Sequence, residues 1–308
     1  MNRQGFKKIK IILGEIEYYF FRLPSCALRR VDRAYSEIKG FSMKWVEEGR
    51  REGVRKNLKS LFGEKMDEEG IDGLLQEYFG ILCCDDLDAW LWLLKSRKKI
   101  KRYIRVENGE YFREVTDKKK GCILLSAHFG GGFFLFDVAK ELGGKPQGFG
   151  QPIKLEFFKG HFFRWLYFKF RLFCVKRAIG EDIIYTGRRE TRREILEKLE
   201  RGYHMIVLFD IPPYLTKGKT EKVNLMGRDW NFARGFLRMM AGTGIPIVPV
   251  FTFLAEDHTR TFRFYPSYQI ENREGVRKAL YECAKIFESH LSERPGQWFF
   301  WDGAEVFW

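Results

Sequence analysis

Residues 122–137 constrain the fold more than any other part of the chain. A short apolar run over residues 122–126 leads to His128, then to the three glycines Gly130, Gly131 and Gly132, and then to a helical pattern. An apolar run of this length before a glycine-rich turn is typical of a buried strand. The segment therefore predicts a strand, a tight turn and a helix, the unit from which α/β sheets are built.

The same alternation continues beyond this segment. From residue 103, short apolar runs alternate with helical patterns, which predicts an α/β fold with a mixed, mostly parallel sheet flanked by helices. Strands are expected at 103–106, 122–127, 205–209, 247–253, 261–265 (as an edge strand) and 298–301. Helices are expected at 133–142, 190–201, 232–241 and 275–291.

Residues 1–102 have a different pattern and are predicted to form an N-terminal helical region in contact with a membrane interface. Helices are expected at 7–22, ended by Pro24, and at 45–62 and 72–94. Residues 103–308 then form the α/β domain. The full chain of 308 residues is long enough for one large domain or two small ones.

Charge and aromatic content limit the classes of partner. The net charge is +14, residues 1–60 hold 15 basic against 7 acidic side chains, and 17% of all residues are aromatic. Such a surface favours an anionic membrane, an acidic acyl carrier protein or a nucleic acid. Nucleic acid is the least favoured of these, because no recognised binding motif accompanies the charge.

Membrane contact is expected to be peripheral. The longest uncharged runs, 121–136 and 239–255, are short for a transmembrane helix. Glu15 and Glu17 interrupt any signal-peptide core, which predicts a cytoplasmic protein. The six cysteines show no zinc-ligand spacing, so no metal is expected. Cys83 and Cys84 are adjacent in an apolar patch and are expected to be reduced core thiols, which favours a reducing compartment.

The position of His128 suits a general base. It follows a predicted strand and faces a helix start, where it can serve acyl or phosphoryl transfer. Gly130, Gly131 and Gly132 allow a substrate to approach the backbone and offer amides to developing negative charge. The alternative is a packing turn in which the histidine only caps the helix.

Two further residues are candidates for ligand binding. Asp210 follows the predicted strand 205–209, and open α/β sheets bind ligands at the carboxyl ends of their strands. Arg234 stands near a predicted helix start and can hold a phosphate or carboxylate by a fork contact. The alternatives are a turn aspartate and a surface arginine.

Residues 157–177 interleave nine aromatic with six basic side chains, among them Arg164, a further substrate-binding candidate. A helix of this composition suits a membrane interface or the wall of an acyl-chain groove. The same residues could stack on nucleic acid bases, and an ordinary core helix with basic flanks is the third interpretation.

Taken in order, these segments resemble the bacterial lipid A late acyltransferases, within the wider lysophospholipid acyltransferase group. The resemblance implies transfer of a fatty acyl chain from acyl carrier protein or coenzyme A to a hydroxyl of a lipid or glycolipid. It also implies peripheral placement on the inner membrane and no separate cofactor. It runs from about residue 45 to 302 and is carried by residues 54–58, 121–130, 208–210, 224–227, 233–235, 243–250 and 295–298.

One departure from the family pattern concerns catalysis. The family's histidine is followed five positions later by an acid that orients the imidazole, and Phe133 occupies that position here. Asp137, one helical turn further on, is the first candidate to replace it. The alternatives are that Asp210 or another distant acid does so, or that the chain binds lipids without catalysis.

Two smaller departures accompany it. Gly131 and Gly132 stand where members of the family tend to have Asn-Trp, and Asp302 stands near their basic cluster.

Overall fold

The computed structural model describes residues 3–42, 48–118, 120–158, 160–216 and 218–308. Its helices are α1 (Arg3–Ile16), α2 (Leu23–Ala27), α3 (Val31–Ser42), α4 (Glu48–Phe62), α5 (Glu68–Leu94), α6 (Arg97–Lys101), α7 (Glu110–Thr116), α8 (Leu135–Glu141), α9 (Phe162–Ile179), α10 (Thr191–Glu200), α11 (Gly235–Met240) and α12 (Gly275–Glu293). Its strands are β1 (Ile104–Glu107), β2 (Ile123–Ser126), β3 (Lys145–Gly150), β4 (Ile184–Tyr185), β5 (Tyr203–Leu208), β6 (Thr220–Leu225), β7 (Arg228–Ala233), β8 (Ile247–Leu254) and β9 (Arg260–Phe264).

The predicted fold class is confirmed. Within the described residues, seven strands form one sheet in the order β1-β9-β8-β2-β5-β3-β4, and β6 and β7 form a separate antiparallel hairpin. All neighbours in the large sheet are parallel except β8 and β9. Five parallel strands therefore end at one edge, where ligand sites of α/β sheets lie.

The central strand β2 is buried on both faces. Ile123 and Leu125 face one hydrophobic core, which includes Val54 of α4 and Phe287 of α12. Cys122 and Leu124 face the other core, with Tyr35 of α3, Val138 of α8 and Tyr167 of α9. β2 therefore contributes side chains to both hydrophobic cores, because successive side chains of a strand point to opposite faces of the sheet. Residues before and after 102 share both cores, and the division there stays a prediction.

Several sequence predictions are wrong in detail. Pro24 does not end the first helix, because a π-helical segment (Glu17–Arg22) connects α1 directly to α2, and Pro24 lies in the first turn of α2, where proline is tolerated. The strand β9 is not at an edge, since β1 pairs with its far side. Residues 298–301 make one isolated bridge, from Trp298 to Phe129, followed by a 3₁₀ turn. The helix expected from 232 starts at Gly235, after β7. The start of the helix expected from Trp45 lies outside the described residues.

Two buried histidines make stability depend on pH. Burial lowers the pKa values of His204 and His290 from 6.5 to about 4. Between these values the unfolded chain binds protons that the folded chain does not, so stability present above pH 6.5 is lost as pH falls towards 4. A difference of this size corresponds to about 3 kcal/mol for each histidine. Urea unfolding at pH 7 and at pH 4 measures it.

The His290→Gln variant is the control. The amide introduced by this substitution can still bond the Tyr265 hydroxyl, which in the wild type lies 2.8 Å from the imidazole Nε2. An amide does not titrate in this range, and we expect the acid-induced loss of unfolding free energy to be about 3 kcal/mol smaller than in the wild type. An equal loss in both proteins would contradict the prediction.

Candidate active site

The sheet register brings His128 and Asp210 together. β2 and β5 are parallel neighbours, and Ser126 lies opposite Leu208 at their ends. The pairing extends one step further, since the Phe209 amide donates to the Ser126 carbonyl at 2.9 Å. His128 and Asp210 each follow two residues after the paired strand ends. The two side chains therefore emerge side by side at the carboxyl edge of the sheet.

The Asp210 carboxylate receives hydrogen bonds from His128 and Trp298. The His128 amide donates to both carboxylate oxygens, at 3.1 and 2.9 Å. The imidazole Nδ1 lies 2.9 Å from Oδ1, and the Trp298 indole donates to Oδ2 at 3.0 Å. Because a carboxylate only accepts, this contact selects the tautomer of the neutral imidazole in which Nδ1 carries the proton and Nε2 has the lone pair. Asp210 is fully buried, which keeps these contacts away from water.

The imidazole itself is accessible. The side chain of His128 is 28% exposed, and its ring meets the Phe300 ring edge-on at 4.7 Å between centroids. No hydrogen-bond partner of Nε2 is present among the described residues. The sequence had suggested a histidine poised at the rim of a sheet, and the geometry places one there.

Asp137, the first candidate for the orienting acid, lies in different surroundings. Its carboxylate is 3.5 Å from the Arg97 guanidinium, which also stacks on Trp92 at 4.0 Å. Burial raises the pKa of Asp137, with Arg97 opposing the shift. In this structure the carboxylate that contacts His128 is Asp210, so the geometry favours the distant acid over the neighbour in sequence.

Phe133 is part of the apolar core. It is 6% exposed, lies 6.5 Å from the Trp92 ring and 5.7 Å from the Phe134 ring, and carries the Arg171 guanidinium 5.8 Å from its centroid. Arg171 is already bonded to Asp85 at 2.7 Å. The position that holds the family's acid is thus used for packing here.

Restoring an acid at residue 133 should not help catalysis. We expect Phe133→Glu to lower the free energy of unfolding by about 2–4 kcal/mol, because it buries a carboxylate beside an arginine that is already paired. We expect Phe133→Leu to cost about 1–2 kcal/mol and to leave any turnover of the folded protein unchanged. Urea unfolding and a turnover assay on both variants measure this. A faster Phe133→Glu enzyme would show that this position can still serve the histidine.

The glycine loop is fixed by close contacts. The Gly130 amide donates to the Gln297 carbonyl at 2.9 Å, and the Gln297 side chain bonds both backbone groups of Leu254. Gly130 and Gly131 have φ values of +62° and +95°, which glycine adopts without strain. Gly132 is exposed, and a Cβ there would meet nothing within 4 Å. In this loop Gly130 and Gly131 are therefore held in close contacts, and the neighbouring Gly132 is exposed.

The two candidate arginines lie on other elements. Arg234 precedes α11, and its guanidinium bonds Glu221 at 2.7 Å. Arg164 lies on α9 with its guanidinium 6.0 Å from the Phe168 ring. Neither makes a contact with His128 or Asp210 in the described part of the chain. Their roles in binding stay predictions.

Trp298 is a site residue that the sequence alone does not single out. The motif at residues 295–298 is the available signal, and it indicates only part of a resemblance and, over residues 298–301, a strand. A cleft of about 910 Å³ is lined by Gln297 and Leu254, whereas His128 and the three glycines do not line it. No cluster of three or more His, Cys, Asp or Glu side chains in the described ranges has metal-ligand geometry.

A family model described as bacterial lipid A biosynthesis acyltransferase matches residues 23–132. The resemblance to the lipid A acyltransferases is confirmed. The match covers about a third of the 308 residues and includes His128 and the glycine loop. It supports an acyltransferase acting on lipid-related substrates. Asp210 and Trp298 lie beyond the matched part. No curated protein matches the chain.

Proposed function

We propose that this protein transfers a fatty acyl group from a thioester carrier to a hydroxyl of a lipid or glycolipid, with His128 as the general base. The observation that carries the proposal is the imidazole bonded through Nδ1 to buried Asp210 while Nε2 stays free at an accessible sheet edge. A base held in one tautomer by a buried carboxylate is the arrangement that activates a hydroxyl for attack on an acyl group.

The reaction follows from this geometry. Nε2 of His128 removes the proton of the acceptor hydroxyl as its oxygen attacks the thioester carbonyl carbon. The carbonyl oxygen becomes an oxyanion, which amides of the glycine loop can receive. The carbon–sulfur bond then breaks, and the imidazolium returns the proton to the leaving sulfur. Asp210 stabilises the imidazolium between the two steps.

The donor in this proposal is acyl carrier protein or coenzyme A carrying a fatty chain. The thioester is already activated, so the steps above need no metal or redox group. A lipid A precursor, a lysophospholipid or another polar lipid can supply the hydroxyl. Such carriers belong to the cytoplasm, and the protein would work at the cytoplasmic face of the inner membrane.

Thiol release tests this function. The full chain is incubated with dodecanoyl coenzyme A or dodecanoyl acyl carrier protein, together with lysophospholipids or a lipid A precursor, and free thiol and acylated lipid are measured. We expect both products in equal amounts from at least one donor–acceptor pair. Binding of lysolipid without thiol release would support a silent lipid-binding protein instead. Asp210 weakens that alternative, because it fills the role that Phe133 leaves open.

An exposed apolar face supports contact with a membrane. On α9 the exposed residues 162, 166, 169, 173 and 177 recur at helical spacing, and they are Phe162, Leu166, Lys169, Phe173 and Arg177. α1 lies against α9 and exposes the apolar residues Ile9, Ile12 and Leu13 together with the basic residues Lys8 and Lys10. His161 joins the two helices by donating from Nδ1 to Glu15 at 2.6 Å. Apolar side chains with a basic fringe suit an anionic bilayer surface. In the described residues, no helix is long and apolar enough to cross a bilayer.

Replacing apolar residues of this face with aspartate should weaken vesicle binding. We expect the double variant Leu13→Asp/Phe173→Asp to bind vesicles of phosphatidylethanolamine and phosphatidylglycerol at least about 10-fold more weakly, since two exposed apolar side chains lose their burial in lipid. Co-sedimentation measures the binding. Tyr281→Asp is the matched control, because Tyr281 is 44% exposed on α12. Equal binding by the double variant and the wild type would exclude this face.

A further inference from the structure

Three buried polar side chains behind the glycine loop have no part in the chemistry described so far. The Tyr35 hydroxyl donates to Asp88 Oδ1 at 2.6 Å, and Asp88 Oδ2 lies 2.7 Å from Arg260 Nη2. The second nitrogen, Arg260 Nη1, donates to the carbonyl of Gly130. Each of the three side chains belongs to a residue that is 1% exposed or less. Two hydrogen bonds and one ion pair therefore connect α3 and α5 to the loop beside His128.

Such a buried ion pair is costly. Burial raises the pKa of Asp88 to about 7, although Arg260 and Tyr35 oppose the shift. Apolar side chains of similar volume often give equal or greater stability than a buried ion pair. Stability alone is thus a weak reason for this buried ion pair. The contact between Arg260 and the glycine loop suggests a functional reason.

The glycine loop packs directly against the guanidinium of Arg260. A Cβ on Gly131 would lie 2.6 Å from Arg260 Nη1 and 2.8 Å from Cζ. A Cβ on Gly130 would lie 2.3 Å from the Thr252 carbonyl oxygen. Both glycines are thus held between β8 and Arg260, and the plane of the peptide between them is determined by the bond to the arginine.

That peptide plane determines where an amide points. In a trans peptide the C=O and the following N–H point in opposite directions. Arg260 holds the Gly130 carbonyl towards the buried side, so the Gly131 N–H is directed away from Arg260. The Gly130 N–H is already bonded to Gln297. No described residue accepts the Gly131 N–H, which leaves this donor available.

We propose that Arg260, held by Asp88 and Tyr35, is a positioning residue that orients the Gly131 amide towards the oxyanion of the tetrahedral intermediate. The inference rests on the proposed acyl transfer, and it adds one named donor and the group that orients it. The arginine never touches the substrate. It acts through the Gly130–Gly131 peptide, which is preorganised before the thioester arrives.

The test separates turnover from substrate binding. Thiol release from dodecanoyl coenzyme A is followed with water or a lysophospholipid as acceptor, and kcat is expressed per folded molecule. We expect Arg260→Met, made together with Asp88→Asn so that no buried charge is left unpaired, to lower kcat about 100-fold. KM for dodecanoyl coenzyme A should stay within about threefold, because the donor contacts are unchanged.

Two further variants complete the test. Tyr35→Phe removes only one hydroxyl, and we expect kcat to fall about fivefold with KM unchanged. The matched control is Arg263→Met, which removes a half-buried arginine of the same strand that bonds Glu107 at 2.7 Å. Its kcat should stay within about twofold of the wild type, since it does not contact the loop.

The outcomes are distinct. A lower unfolding midpoint with normal kcat per folded molecule in the Arg260→Met/Asp88→Asn protein would mean a purely structural role and would overturn the inference. If that protein does not fold, Tyr35→Phe decides, and an unchanged kcat overturns it. Thiol release that depends on His128 but not on Arg260 or Tyr35 would leave the proposed function standing. Thiol release that does not depend on His128 would overturn the function itself.

Discussion

Replacing His128 with alanine should lower thioester turnover by at least about 10³-fold, because no other side chain in the described part of the chain is placed beside Asp210 to take the hydroxyl proton. The substitution removes the ring contact to Oδ1 but keeps the backbone contact, since the His128 backbone amide donates to both oxygens of Asp210. We therefore expect the unfolding midpoint to change little. Thiol release from dodecanoyl coenzyme A and a thermal melt on the same preparation measure both effects.

A matched control is available on α9. His161 is 41% exposed and bonds Glu15, so His161→Ala removes a histidine paired with a carboxylate outside the site. Its turnover in detergent solution, where no bilayer has to be bound, should stay within about twofold of the wild type. Full turnover by His128→Ala would remove the general base from the proposal, whatever the control shows.

Replacing Asp210 with asparagine should lower turnover by about 10³-fold. An amide in this place turns either a donor or a weaker acceptor towards Nδ1, so the imidazole loses both its preferred tautomer and the charge that stabilises its protonated form. The Trp298 indole and the His128 amide compete for the one remaining oxygen. We expect the free energy of unfolding to fall by about 1–3 kcal/mol as well.

Asp137→Asn is the direct comparison for this variant. If Asp210 orients the imidazole, Asp137→Asn turns over within about twofold of the wild type, since Asp137 contacts Arg97 rather than His128. Steady-state thiol release at pH 7 distinguishes the two carboxylates. The opposite order of effects would return the orienting role to the neighbour in sequence.

The sequence predicted the strands of the sheet better than their partners. β2, β5 and β8 are buried apolar runs with clear limits, so composition alone indicated them. The sequence does not predict the hairpin of β6 and β7, because residues 224–227 and 233–235 indicate only part of the family resemblance, and Arg234 only a binding candidate. The position of β9 inside the sheet depends on pairing with β1, and β1 lies more than 150 residues earlier.

The site was predicted only in part, because it too depends on contacts between residues far apart in the sequence. His128 and Asp210 were both recognised as residues at strand ends, but the choice of Asp137 as first partner followed helical spacing, which is local. The contact with Asp210 depends on the register between β2 and β5, which no local pattern encodes. Trp298 lies among aromatic residues that suit a strand, although it makes only one isolated bridge, to Phe129, and packs on Trp230 and Phe307.

The side chains of His128, Asp210 and Trp298 meet in the structure but come from distant parts of the chain. Trp298 lies 170 residues after His128 and 88 residues after Asp210 in the sequence. During synthesis on the ribosome, the sheet can therefore begin to form long before this last donor emerges. Such late, non-local closure delays the complete set of hydrogen bonds to Asp210 until residue 298 has emerged.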